Sequence, residues 1–352
     1  MRAISAIDSV SPAIQRTRDF LFRPFSWGIY LKLGLVAIVT EGVGSNLHSH
    51  TSTNGGQPSG HGPMIYSLHD IPAIWVVSIV AAVLLAIVVS LFIYYLITRL
   101  RFAYFHCLIH NTKEIRPGWR FYRSPATRFF WLNLVVGFFF LLLVVLVALP
   151  FVAGFWRLFR EISQGGQPNI GLILSLVLPL IPIIILLVVA GILADLILRD
   201  WMLPHFALED ATAGEAWSSV WARILAEKRQ FFVYALLRVV LPTIAMAGLF
   251  IVLLIPGLIL AGSLAAVEFA LHSAFAGATG ASAVAGIALE VFFGVVAFGF
   301  ALLASICLGG PVSTGVREYA LMFYGGRYQV LGDILSPPPP PLPMVEGPGE
   351  VS

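Results

Sequence analysis

Few side chains in this sequence could carry chemistry, and those that could stand inside or beside apolar runs. Asp195 and Arg199 are four residues apart, as are Glu268 and His272, and Glu290 follows in the next apolar run. Residues four apart share a helical face. Each pair therefore reads either as a local ion pair or as a site that handles a proton or cation. An ionisable side chain in a membrane is costly and is first a functional hypothesis. Asp195, Arg199, Glu268, His272 and Glu290 are on that ground the candidates for transport or gating. The plainer reading places Asp195 and Arg199 as an ion pair at the membrane edge, with Arg199 snorkelling. It leaves Glu268, His272 and Glu290 solvated at the outer face. Lys32 stands near the start of an apolar run and Glu41 near its end; Lys32 reaches back to the headgroups.

The histidines offer two further readings. His48, His50, His61 and His69 lie in a Gly-, Ser- and Thr-rich stretch from Gly44 to Asp70. Imidazole is a common metal ligand, but a flexible loop must lose much entropy to form such a site, so a solvated loop is expected. His106, His110 and His205 are acid–base candidates for a lipid-modifying enzyme at the membrane surface, though no motif accompanies them. GxxxxGK[ST], GxSxG, HExxH and a strand-linked GxGxxG are all absent. No catalytic residue, cofactor or metal is therefore assigned. Cys107 and Cys307 both fall on the side read as cytoplasmic, which argues against a disulfide.

Arginines and aromatics alternate through Arg99–Arg128, where Arg99, Arg101, Arg116, Arg120, Arg123 and Arg128 are the candidates for anionic-lipid contact. A nucleic-acid role would also use arginine and aromatic stacking. Tethering between two spans makes membrane anchoring the better reading.

The elements that must hold these residues are membrane spans. The chain has 352 residues, 59% of them hydrophobic and 11% charged, with a mean hydropathy of +0.91. Thirty-nine charged side chains could not cover a soluble surface of this size. Six runs qualify as spans, which need ~20 mainly apolar residues: 25–43, 71–98, 129–152, 170–198, 232–262 and 285–308. The fold expected is an all-α bundle of six spans with amphipathic interfacial helices over 1–335, followed by a proline-rich, disordered tail over 336–352.

Nineteen of the 21 Lys and Arg residues fall on one side of this arrangement, leaving Arg157 and Arg160 on the other. That bias places both termini in the cytoplasm and the protein in the inner membrane. Ser11 and Pro12 predict the start of a short basic amphipathic helix. Thr212 and Glu215 have the spacing of a capping box. Trp217, Trp221, Ile224 and Leu225 then form one stripe, expected to pack over the inner end of the bundle. Arg99 and Arg199 also head two similar stretches about one hundred residues apart, a faint parallel repeat. Gly294, Ala297, Ala301 and Ser305 form a small-residue face suited to close helix packing or a dimer contact.

Three stretches carry a resemblance: RTRDFLFRPFSWGIYLKLGLVAIV from Arg16, WMLPHFALEDATAGEAWSSVWARILAEKRQFFVYALL from Trp201, and GPVSTGVREYALMFYGG from Gly310. They resemble uncharacterised bacterial multi-pass proteins similar to the membrane domain of glycerophosphodiester phosphodiesterases. Pro204, Glu209, Glu215, Ala216 and Trp217 match that pattern. The chain has no room for the catalytic barrel, about 250 residues, so the resemblance implies a fold and carries no activity.

The leading functional expectation is a non-enzymatic scaffold, anchor or accessory protein that acts on a partner or on lipids. A small-molecule or ion transporter is the first alternative, and an intramembrane lipid-modifying enzyme the second. The bilayer is the expected partner, with a protein partner or a second copy beside it, and nucleic acid is not.

Overall fold

The computed structural model describes residues 4–42, 73–164, 170–275 and 280–336. Those residues are helical, without strands. Helix α1 is Val10–Phe22 and α2 is Trp27–Ala37, which runs into a π-helical turn at Ile38–Gly42. The long helices are α3 (Ala73–Ile109), α5 (Arg123–Ser163), α6 (Ile170–Leu196), α9 (Lys228–Phe275) and α10 (Ala281–Gly325). Short helices fill the turns: α4 (Ile115–Phe121), α7 (Leu203–Leu208), α8 (Ala213–Ala226) and α11 (Gln329–Leu335). A second π-helical turn, Ile197–Met202, joins α6 to α7.

Among the described residues, five helices are long and apolar enough to cross a membrane, against six runs expected. At 1.5 Å per residue, the 48 residues of α9 span about 72 Å. That exceeds ~30 Å of hydrocarbon, so this helix projects well beyond it. The run 25–43 differs. Its helical part, Trp27–Gly42, is about 24 Å long and crosses α10, where a Cβ on Gly310 would fall 2.7 Å from Gly34 Cα. Tyr30 donates its hydroxyl to Cys307 O at 2.6 Å. The loop 44–70, with its four histidines, and the tail from 337 lie outside the described residues.

The core sits at one end of the bundle. Phe102, Phe105, Phe129, Trp201, Phe206, Phe231, Tyr234, Phe323 and Tyr324 are buried there. Tyr234 stacks between Tyr319 and Phe323, with centroids at 5.0 and 4.3 Å. Further along the same helices Leu84, Leu142, Leu186, Ile251 and Phe292 are exposed. Lipid tails are as apolar as these side chains, so burial gives helices no reason to close up inside a bilayer. Aromatic and polar contacts supply that reason, and they are concentrated at one end.

Two local expectations are corrected. The cap of α1 lies two residues earlier than Ser11, at Ser9, which turns its hydroxyl back to Ser5 O. Of the α8 stripe only Ile224 packs against the core, beside Ala216 and Val220, while Trp217, Trp221 and Leu225 are exposed and the two indoles stack at 5.6 Å. The small side chains let α8 lie close to its neighbours, which turns the bulky ones aside. The small-residue face of α10 is likewise open at Gly294, with nothing within 4 Å of an added Cβ.

Candidate functional site

The two π-helical turns face one another and build the most charged place in the protein. Pro204 has no backbone N–H, so it cannot bond the carbonyl one turn earlier. The wider turn at Ile197–Met202 precedes it and buries Arg199 and Asp200 side by side. The turn at Ile38–Gly42 presents Thr40 and Glu41 to them. Arg199 donates through Nη2 to Glu41 Oε2 at 2.7 Å and to the carbonyls of Thr40 and Glu41, both at 3.2 Å. Its Nη1 reaches Asp195 Oδ2 at 2.8 Å.

Three more arginines close the cluster. Arg238 of α9 donates through Nε to Asp200 Oδ2 at 2.8 Å and through Nη2 to Glu41 Oε2 at 3.2 Å. Arg317 of α10 donates to Asp200 Oδ1 at 3.1 Å and to Arg199 O at 2.8 Å. Arg101 of α3 donates to Thr40 O through Nε and Nη2, at 3.3 and 3.1 Å. Tyr234 adds its hydroxyl to Asp200 Oδ2 at 2.8 Å. Three guanidiniums thus meet three carboxylates while Arg101 holds the Thr40 carbonyl, and of the carboxylates only Asp195 is substantially open, at 48% side-chain exposure. Arg317 Nη2, Arg199 Nε and Glu41 Oε1 are buried with no hydrogen-bond partner. Burying charge is tolerable only where such pairing offsets lost hydration.

This cluster works as a joint. It ties the π-helical turn after α2 to α3, α9, α10 and the end of α6, pulling all five to one place. Arg16 of α1 continues the clamp, with Nε 3.1 Å from Glu318 Oε2 and Nη2 donating to Leu108 O at 2.7 Å. Arg327 extends it below α10 by pairing with Glu227 at 2.7 Å.

A second group lies beside it. His205 Nδ1 is 2.9 Å from Glu209 Oε2, and its Nε2 is 2.8 Å from the Tyr324 hydroxyl. Tyr328 packs on the His205 ring at 4.3 Å, and Arg223 lies over the Tyr328 ring. The order Glu–His–Tyr matches an oriented base, yet His205 and Tyr324 are closed off from solvent. The arrangement is a packed polar core. The rings of His106 and His110 are tilted against one another at 4.5 Å, with no ion pair to a carboxylate among the described residues.

Of the sequence candidates, Asp195 and Arg199 meet in the joint. His272 Nδ1 pairs with Glu290 Oε1 at 3.1 Å, and Glu268 has no ion pair among the described residues. Glu290 and Arg317 are 27 residues apart on α10, about 40 Å, so the two groups do not converge. The arginines proposed for lipid contact divide. Arg101 is buried in the joint. Arg99 donates to Trp119 O and stacks on its ring at 4.5 Å. Arg128 pairs with Asp210. Arg116, Arg120 and Arg123 stay exposed around Phe121, which is 75% exposed. Glu41, Asp200, Arg238 and Arg317 were not singled out from sequence as site residues. The available signal was four ionisable residues at the edges of apolar runs. No group of three or more His, Cys, Asp or Glu side chains among the described residues could hold a metal.

The chain belongs to a family of unknown function, DUF7544, which matches residues 4–334. The match covers the five long helices and every member of the joint. It does not support the likeness to the glycerophosphodiester phosphodiesterase membrane domain. No curated protein and no solved structure matches the chain.

Proposed function

We propose that this membrane protein is a non-enzymatic scaffold, held rigid at its cytoplasmic end and presenting that end to a partner in a bacterial inner membrane. The observation that carries this reading is the joint: Glu41, Asp195 and Asp200 are each held by arginine. Carboxylates locked in this way resist the cycle of binding and release that transport needs. The amino-terminal segment packs on α10, through Arg16 with Glu318 and Tyr319 with Ala6 O. This supports a topology with both ends of the chain on the basic, cytoplasmic side. The exposed Trp217–Trp221 stack and the Arg116–Phe121–Arg123 surface are the faces on offer there.

The test is affinity capture from native membranes in mild detergent, comparing wild type with a Trp217→Ser/Trp221→Ser variant. A stoichiometric partner lost with the double variant is expected. A monodisperse, partner-free wild type, or proteoliposomes in which Asp195→Asn abolishes a solute flux, would overturn the scaffold reading.

A further inference from the structure

We propose that the end of α5 farthest from the joint binds one phospholipid, the upper carbons of an acyl chain and its glycerol ester entering the cleft against α6 and the phosphate on Arg160. A cleft of about 510 Å³ opens there between the two helices. Ala148, Phe151, Phe155, Trp156 and Phe159 of α5 and Leu180 of α6 line it. These positions on α5 recur at helical spacing and make one continuous apolar face. The helices touch beside the cleft, where a Cβ on Gly154 would run into the Leu176 side chain.

Depth and charge identify the occupant. Taking Phe129 as the inner edge of the span, Ala148 lies about 28 Å along the helix and Arg160 about 46 Å. Hydrocarbon is ~30 Å thick and headgroups extend it to ~40–45 Å. The cleft therefore begins at acyl depth and, with modest tilt, ends at headgroup depth. Arg157 and Arg160 are the two basic residues in this part of the chain. Neither is in an ion pair among the described residues. Arg160 is one turn beyond Trp156, in the last turn of α5. A phosphate there gains charge-assisted hydrogen bonds, while the aromatic rings suit the interface.

Native mass spectrometry of the full-length protein titrated with dioleoyl phosphatidylglycerol tests this. Wild type should keep one lipid under activation that strips the rest. Ala148→Trp, which fills the cleft, should abolish that retention, and Arg160→Gln, a surface change compatible with folding, should weaken it about tenfold. Gly137→Leu, on the same helix with open space around it, should leave it intact. Unchanged retention in both Ala148→Trp and Arg160→Gln overturns the site. Loss in Ala148→Trp alone overturns the phosphate assignment.

Discussion

At Asp200 a single carboxylate accepts from Arg238, Arg317 and Tyr234 in a buried setting. Removing it takes the near carboxylate from Arg317 and leaves Arg238 with Glu41 alone, which costs about 3–5 kcal/mol where one partner of a buried pair is lost. Asp200→Ala should accordingly lower the thermal midpoint in detergent sharply, whereas Glu268→Ala, with no ion pair to lose among the described residues, should leave it unmoved. Glu215 offers a pH test. Backbone and side-chain hydrogen bonds from Thr212 hold its carboxyl below the ordinary glutamate value. A depressed carboxylate stabilises the fold above the free glutamate value and loses that contribution as pH falls through its folded value. Acidification should therefore loosen the start of α8, read as a change in indole fluorescence, and Thr212→Ala should reproduce part of it at neutral pH. The capping box and the Asp195–Arg199 contact could both be read from spacing, because each is local. Glu41 with Arg199 could not: the two are 158 residues apart, and no periodicity links them.

Among the elements, the five long helices were legible because their apolar runs exceed what a span needs. The run at 25–43 looks similar in composition, and it differs in packing. Its glycine at 34 meets Gly310 backbone to backbone, a contact that only a second helix could reveal. Gly310→Val should force α2 off α10 at about 1–3 kcal/mol, seen as lost thermal stability and faster proteolysis of the amino-terminal segment. The orientation of α8 was misread for a related reason. Hydrophobic periodicity marks an apolar face but not what lies against it, and here alanine and valine face the core while the tryptophans face outward.

On the scale of the whole molecule, one end is closed by ionic and aromatic contacts and the other is open to lipid. Substituted cysteines should report this polarity: Arg157→Cys should react with an impermeant maleimide added outside, and Arg116→Cys only after permeabilisation. The same split explains why composition revealed the membrane class while the centre of the structure stayed hidden. Scarce charges counted along a chain predict sidedness, and only folding shows that they converge. The charges join the amino-terminal segment to the long helices as a structural unit. A double-mutant cycle of Glu41→Gln and Arg199→Met, measured by reversible unfolding in detergent, reads that coupling. Contacting charges are expected to couple by about 0.5–3 kcal/mol. Strictly additive losses would contradict the joint.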